Sequence, residues 1–177
     1  MQSIKTPPRT IMEVFQMLPE GTLAELINGS IYMSPAPNPY HQRIVLNLSI
    51  ALSSYVKQSH PGEVFISPCD VYLDDHSNAV QPDIILISSK KNVIVNKSGL
   101  HGIPDLLIEV LSPGNSEHDT ITKKALYEKF GVQEYWIVNP DTKETTGYSL
   151  KDKQYISLGQ FIGKIHSVLL DNQTFEF

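Results

Sequence analysis

Two runs of almost continuous apolar residues constrain the fold of this chain most: residues 80–88 (VQPDIILIS) and residues 104–112 (PDLLIEVLS). A strand with one face in water alternates apolar and polar residues, whereas a strand covered on both faces does not. Both runs therefore predict central strands of a sheet that is buried on both sides. Because 177 residues suit one domain with a sizeable core, we expect a single domain over residues 1–177.

The patterns before these runs predict a short helix, a β-hairpin and a long helix. Thr10 and Glu13 form a capping box at the start of a helix over residues 10–18. Asn28-Gly29 lies between two short apolar segments, which is a strong signal for a hairpin. Residues 41–59 carry one apolar stripe at helical spacing, which predicts the long helix. The apolar residues of the first helix at helical spacing are Ile11, Val14, Phe15 and Leu18.

The remaining patterns complete a mixed α/β domain whose sheet edges are supplied by hairpins. Gly131 stands where a helix-ending glycine is common, and Tyr135 and Trp136 fall in an apolar run that we expect in the core. The predicted elements are strands at 63–66 and 69–73, a helix at 119–130, a strand at 134–138 and a hairpin at 145–158.

Composition excludes several classes of protein. The chain has 14 Lys and Arg against 19 Asp and Glu, a net charge of −5, which argues against a tight non-specific nucleic-acid binder. Its one cysteine, Cys69, excludes an internal disulfide and a multi-cysteine zinc site, and we expect it to be a buried, unreactive thiol. Since no apolar run approaches the ~18 residues of a membrane span and no secretory signal precedes the domain, we expect a cytoplasmic protein with no membrane partner.

Carboxylates interrupt both central runs. Asp83 opens the apolar part of the first run, and Glu109 lies within the second. A carboxylate inside a buried strand costs several kcal/mol unless it is paired, protonated or bound to a cation. One such residue is usually a salt-bridged or strand-end charge, but two of them on neighbouring strands favour a functional site.

The helix after the second run adds a lysine. Asp119, Lys123 and Tyr127 are spaced i, i+4, i+8, so they share one helix face. Such an Asp–Lys pair is commonly a solvated surface pair. Here, however, the helix follows the strand of Glu109 after only a short turn, residues 112–118, which can bring Lys123 back towards the two carboxylates.

Two carboxylates and a lysine that lie close together form a recognisable catalytic arrangement. Carboxylate oxygens hold Mg²⁺ or Mn²⁺, which also engages phosphate oxygens and lowers the pKa of a bound water. A lysine adds positive charge where negative charge develops on phosphorus oxygens. Hydrolysis of a phosphodiester is the reaction that most needs this set, although a glycosidase with paired carboxylates stays open because the separation of Asp83 and Glu109 is not given by the sequence.

These motifs resemble the PD-(D/E)XK nuclease superfamily and, more closely, the Uma-two family of restriction-endonuclease-like proteins. The resemblance rests on six segments that occur in the family's order and cover roughly residues 10–150. They are AELINGSIYMSP (24–35), HQRIV (41–45), DVYL (70–73), QPDIILI (81–87), PDLLIEVLSPGN (104–115) and DTITKKALYEKFGVQEYWIVNP (119–140).

The resemblance implies a restriction-endonuclease-like core of helix, three strands, helix and strand, with an N-terminal helix and β-hairpins added. It implies Asp83 and Glu109 as catalytic metal ligands for Mg²⁺ or Mn²⁺. The superfamily's lysine two residues after the glutamate is Leu111 here. The family pattern places it on the following helix, as Lys123, with Lys124 as a rival about 100° away around the helix.

Asp105 is a competing carboxylate on the strand of Glu109. It lies four residues earlier, hence about 13 Å away on the same face, which is too far for both to hold one ion. We therefore prefer Asp83. Asp70 is either a further acidic ligand or a strand-end charge. Lys90 and Lys91 are more typical of a solvated loop than of a phosphate contact.

Three residues are expected to support the site. Glu25 alternates with apolar neighbours in the first hairpin, and the family match suggests an accessory carboxylate there, although a surface charge is equally consistent. His41 begins the long helix and resembles a site residue of the family, although a histidine at this position is often a surface residue. Tyr127 shares the helix face of Lys123.

These observations lead to a metal-dependent nuclease, with DNA as the expected substrate and a homodimer as the expected assembly, because two sites cut two strands most simply. The alternative is a catalytically inactive module that keeps the nuclease fold and binds nucleic acid or protein. The departure at Leu111 and the acidic balance favour that alternative, whereas the joint presence of Asp83, Glu109 and Lys123 favours the enzyme.

Overall fold

The computed structural model of the chain describes residues 7–59, 61–89, 92–112 and 117–177. Its helices are α1 (Ile11–Gln16), α2 (Pro39–Ser59) and α3 (Lys124–Phe130), and a π-helical turn (His118–Lys123) leads into α3. The strands are β1 (Ala24–Ile27), β2 (Ser30–Met33), β3 (Gly62–Ile66), β4 (Val71–Tyr72), β5 (Ala79–Val80), β6 (Ile84–Ser88), β7 (Ile94–Asn96), β8 (Gly99–His101), β9 (Leu106–Val110), β10 (Glu134–Val138), β11 (Glu144–Lys151), β12 (Gln154–Ile162), β13 (Lys164–Ser167) and β14 (Gln173–Glu176).

The central sheet has six strands in the order β12-β11-β10-β9-β6-β3. Strands β9 and β10 are parallel, and the other neighbours are antiparallel. Alternate residues of β6 pack on opposite faces: Ile84 joins the cluster beneath α2, which includes Leu48, and Ile85 joins the cluster beneath α3, which includes Tyr127. Both faces are therefore covered, as the continuous apolar runs predict, and the order α2, β3, β6, β9, α3, β10 is the expected core.

The first central run is divided between two sheets, which corrects the expectation of one strand over residues 80–88. Val80 ends β5, which belongs to a second six-stranded sheet of order β2-β1-β5-β4-β8-β7, and the central sheet resumes at Ile84. Pro82 lies between them, and proline lacks the N–H that a central strand needs for its ladder. The break leaves Asp83 at the entry to β6, where the two sheets meet.

The N-terminal additions are a capped helix and a hairpin. Thr10 Oγ1 accepts a hydrogen bond from Glu13 N at 3.1 Å, which confirms the Thr10 half of the predicted capping box, whereas the Glu13 carboxylate accepts from Arg9 N. The predicted apolar stripe of α1 is wrong in part, because Met12 and Phe15 are buried whereas Ile11 and Val14 are 36% and 38% exposed. A helix of six residues makes fewer than two turns, so its spacing does not decide which face packs.

Turn chemistry explains the other local features. Asn28 and Gly29 have φ values of 49° and 79°, as a two-residue hairpin turn requires, and join β1 to β2. Gly131 ends α3 at a φ of 86°. The β11–β12 hairpin is present, whereas the hairpins β7–β8 and β13–β14 were not predicted. Within the described ranges, no helix is both long and apolar enough to cross a membrane.

Candidate active site

One pocket of about 80 Å³ lies where the β1–β2 hairpin, the N-terminus of α2, the central sheet and the π-helical turn meet. It collects ionisable side chains from segments that are far apart in the sequence. Those lining it are Glu25, His41, Asp83, Glu109, His118, Asp119 and Lys123. All residues predicted for the site therefore line this pocket except Tyr127. Tyr127 lies in the core on the α3 side of the central sheet and contacts Glu109 from there.

Strand register places Asp83 beside Glu109. Strands β6 and β9 are antiparallel with Ile84 opposite Ile108, so the preceding and following residues are also neighbours. Asp83 Oδ2 accepts a hydrogen bond from Val110 N at 2.8 Å, and Ser67 Oγ donates to Asp83 Oδ1 at 3.3 Å. The two carboxylates thus converge from different strands, which Asp105 and Glu109 on one strand could not do.

Glu109 is buried among charges. It is 3% exposed, and its Oε1 accepts hydrogen bonds from Lys123 Nζ at 3.0 Å and from the Tyr127 hydroxyl at 2.7 Å. Burial raises the pKa of Glu109 well above its usual value. The Lys123 charge acts against this rise, while the neighbouring charges of Asp119 and Asp83 add to it. Negative charge therefore exceeds positive charge around Glu109, and the site favours an additional positive charge.

Lys123 is the cation at the centre of the pocket. Its Nζ lies 2.9 Å from Glu25 Oε1, 3.0 Å from Glu109 Oε1 and 3.3 Å from Asp119 Oδ1. Burial alone would lower the pKa of Lys123, but these three carboxylates hold it well above its usual value. The side chain is consequently an ammonium ion at neutral pH and cannot serve as a general base.

The π-helical turn separates the two candidate lysines. Lys123 points into the pocket, whereas Lys124 Nζ lies 4.2 Å from the ring centroid of Tyr148, on the α3-side core of the central sheet. The α-helix predicted for residues 119–130 begins as this wider turn, a feature that is often found at functional sites. Asp119 and Lys123 still share a face and form an ion pair.

Glu25 joins the site from the second sheet. Its Oε1 also accepts a hydrogen bond from Gln81 N at 2.8 Å. Burial raises the pKa of Glu25, but the Lys123 charge and the contacts with His118 and Gln81 outweigh that effect and lower it to about 2. Glu25 is thus ionised, and it anchors the hairpin to Lys123.

His41 orients Asp83. Asn38 caps α2 through its Oδ1, which accepts hydrogen bonds from Tyr40 N and His41 N, and this cap fixes His41 at the pocket. His41 Nε2 lies 3.0 Å from Asp83 Oδ2, in a residue only 3% exposed. His41 Nδ1 is buried and has no hydrogen-bond partner among the described residues.

His118 is the site residue that the sequence analysis missed. Its Nε2 lies 3.5 Å from Glu25 Oε2 and is buried without a hydrogen-bond partner in the described part of the chain. Its ring packs against Tyr32, with centroids 4.7 Å apart. The available signal was its position directly before Asp119, at the start of the turn that carries Lys123.

The competing residues lie elsewhere. Asp105 is buried away from the pocket and accepts a hydrogen bond from Ser88 N at 2.7 Å. Asp70 accepts from Gln81 Nε2 at 2.7 Å and lines a separate groove with Cys69. Cys69 is half-buried and not fully buried as predicted. Burial raises the pKa of its thiol, and the neighbouring Asp70 charge raises it further, as expected for an unreactive cysteine. Lys90, Lys91 and most of the turn 112–118 lie outside the described residues.

The donor chemistry fits a divalent ion held by two carboxylates. Across residues 7–59, 61–89, 92–112 and 117–177, no three His, Cys, Asp or Glu side chains form a group that could hold a metal ion alone. The Lys123 ammonium instead occupies the space between Glu25, Glu109 and Asp119. Asp83 and Glu109 remain as adjacent oxygen donors, and Mg²⁺ commonly binds one or two carboxylates with water and substrate phosphate completing its shell.

Comparison with known proteins bears on the fold and on the family of the chain. Among solved structures, the chain is similar to a protein from Anabaena variabilis ATCC 29413 described as a "putative nuclease belonging to DUF820". The TM-score is 0.68 at 23% identity, and the match covers 85% of this chain and 84% of the other, which confirms the fold class. A search of curated protein sequences finds no significant match. The family model Uma2, described as "Putative restriction endonuclease", matches residues 12–167. The chain therefore belongs to the Uma-two family, as its six ordered segments predict.

Proposed function

We propose that this protein is a divalent-metal-dependent nuclease that hydrolyses phosphodiester bonds, with DNA as its expected substrate. The observation that carries the proposal is the convergence of Asp83, Glu109 and the Lys123 ammonium at one pocket, with Lys123 Nζ 3.0 Å from Glu109 Oε1. Family membership supports a nuclease in general.

Asp83 and Glu109 would hold Mg²⁺ or Mn²⁺. When bound, such an ion supplies a water of lowered pKa and neutralises charge on the phosphate. The chain's own contribution is orientation: His41 and Val110 N hold Asp83, and Tyr127 holds Glu109. Outer contacts of this kind fix the direction of a ligand oxygen and are important for affinity.

Lys123 would stabilise the negative charge that develops on the phosphate oxygens. It is suited to this role because three carboxylates keep it protonated and fix its Nζ. A fixed positive charge in a buried site stabilises a transition state more than a mobile charge in water does. Glu25 and Asp119 are positioning residues for Lys123.

The test pairs metal binding with cleavage in matched aspartate variants. Mn²⁺ is titrated calorimetrically into the wild type, Asp83→Asn and Asp70→Asn, and the same proteins are incubated with single-stranded and duplex DNA in Mg²⁺, Mn²⁺ or EDTA. Asp70 is the control because it is half-buried outside the pocket. We expect Mn²⁺ binding and metal-dependent cleavage in the wild type and Asp70→Asn, and neither in folded Asp83→Asn.

A folded wild type that neither binds Mn²⁺ nor cleaves any substrate would refute the proposal and support the inactive binding module. The homodimer stays a prediction of the sequence analysis, and sedimentation showing only the 19.8 kDa species at assay concentration would contradict it.

A further inference from the structure

The mouth of the pocket carries an aromatic side chain that the catalytic proposal does not use. Tyr32 lies opposite Glu25 in the β1–β2 hairpin, and directly paired residues project on the same face of a sheet. Tyr32 does not line the pocket, but its ring packs against His118, which does. Tyr32 therefore lies immediately outside the pocket, above Glu25.

Tyr32 is available to a ligand. The residue is 42% exposed although one side of its ring contacts His118. The tilted contact with His118 holds the ring in place, and its exposed part is open to solvent. His118 itself lines the pocket, so its ring connects Tyr32 to the site.

The pocket is small, with a cavity volume of about 80 Å³. A phosphate bound beside Asp83 and Glu109 would have its attached nucleoside nearer the mouth, where the exposed ring of Tyr32 lies.

Charge argues against capture of a duplex through its backbone. Of the described residues that line the pocket, Lys123 is the one lysine or arginine, and it is already paired with Glu25, Glu109 and Asp119. Over the whole chain the net charge is −5. Duplex binding relies on many phosphate contacts from basic residues, whereas single strands also bind by stacking their bases on aromatic rings.

We infer that this site acts on unpaired nucleotides and that Tyr32 stacks on the base next to the phosphate in the pocket. The inference rests on the proposed function and narrows its substrate to single-stranded nucleic acid. Tyr32 is then a specificity-determining residue, because a base inside an intact duplex cannot present its face to the ring.

Binding tests this inference separately from cleavage. Fluorescence anisotropy with Ca²⁺ in place of Mg²⁺ measures the affinity of the full chain for three probes of equal length: oligo-dT, an abasic deoxyribose-phosphate strand, and a duplex. The proteins are the wild type, Tyr32→Ala, Tyr32→Phe and Met33→Ala. Met33 is the matched control, since it is the next residue of β2, is 64% exposed and projects from the opposite face.

We expect oligo-dT to bind the wild type about 10-fold more tightly than either other probe, and Tyr32→Ala to lose about 10-fold in affinity for oligo-dT alone. Tyr32→Phe and Met33→Ala should bind like the wild type, and thermal unfolding confirms that each variant is folded. The inference is overturned if oligo-dT and the abasic strand bind with equal affinity, if the duplex binds more tightly, or if no probe binds. It is also overturned if Tyr32→Ala and Met33→Ala have equal effects. The proposed nuclease activity is decided independently, by Mn²⁺ binding and cleavage.

Discussion

Glu109 on β9 and Glu134 on β10 are buried glutamates on neighbouring strands. A comparison of the two shows that burial of a carboxylate does not by itself indicate a functional site. Every residue of both strands is buried. Burial is also the main reason why the pKa of each carboxyl is raised. By the criterion of a carboxylate in a buried strand, the two residues are equivalent.

Their partners differ. Glu134 accepts hydrogen bonds from neutral donors, Trp136 Nε1 at 2.7 Å and Leu169 N at 2.9 Å, one on each oxygen. Glu109 is instead surrounded by the Lys123 ammonium and further carboxylates, and it lines a pocket. Glu134 therefore stabilises the packing of the C-terminal segment on the sheet, whereas Glu109 lies in a cluster that gains from another cation.

The largest expected effect is that substitution of Glu109 lowers activity, whereas substitution of Glu134 lowers stability. Glu109→Gln should lower nuclease activity about 1,000-fold, or about 4 kcal/mol in the barrier, because one metal-binding carboxylate is lost. Its unfolding temperature without added metal should not fall, because a crowded charge is removed. Glu134→Gln should keep its activity and unfold at a lower temperature.

Cleavage rates and thermal unfolding of the two variants measure this difference. If Glu134→Gln lost activity as strongly as Glu109→Gln while keeping its unfolding temperature, the distinction between a structural and a functional glutamate would be wrong.

The next largest effect concerns Lys123, because Glu109 contacts its ammonium group and Glu134 has no such partner among the contacts described above. Lys123→Met leaves Glu25, Glu109 and Asp119 buried without their shared partner, and it should lower the free energy of unfolding by about 3 kcal/mol. Lys124→Met, the matched control, removes a contact with the Tyr148 ring and should cost about 0.5 kcal/mol. Urea unfolding gives both values.

Adding Glu109→Gln to Lys123→Met should restore part of the lost stability, because one of the uncompensated carboxylates is removed. A double variant whose change in the free energy of unfolding equals the sum of the two single changes would show that Lys123 and Glu109 are not coupled.

The smallest effect is the pH dependence of Glu134. Its raised pKa means that, above about pH 4.5, the unfolded chain releases this proton more readily than the folded chain, so the Glu134 contribution to stability falls as pH rises. Glu134→Gln should cost about 1 kcal/mol at neutral pH through a mismatched hydrogen bond. The cost should grow as the pH is lowered towards 4.5.

Urea unfolding of the wild type and Glu134→Gln across this pH range isolates the effect, because all other groups are common to both proteins. A stability difference that shrinks on acidification would indicate that the hydrogen bonds, and not burial, dominate the pKa of Glu134.

The sequence by itself determined the elements whose signals are local. The hairpin at Asn28-Gly29 follows from turn chemistry, α2 from one apolar stripe, and the central strands from runs too continuous for a half-exposed sheet. It also indicated Asp83, Glu109 and Lys123 as a candidate site, because charges in buried segments need a partner. That these residues are catalytic stays a prediction.

Only the tertiary structure decided which charges meet. The contacts of Lys123 with Glu25 join residues almost a hundred positions apart, and they depend on how the two sheets and the π-helical turn pack. The same packing put His118 against Tyr32 and gave Glu134 neutral donors. Periodicity reports the environment along one segment, whereas a site is formed by register and packing between segments, which no local pattern contains.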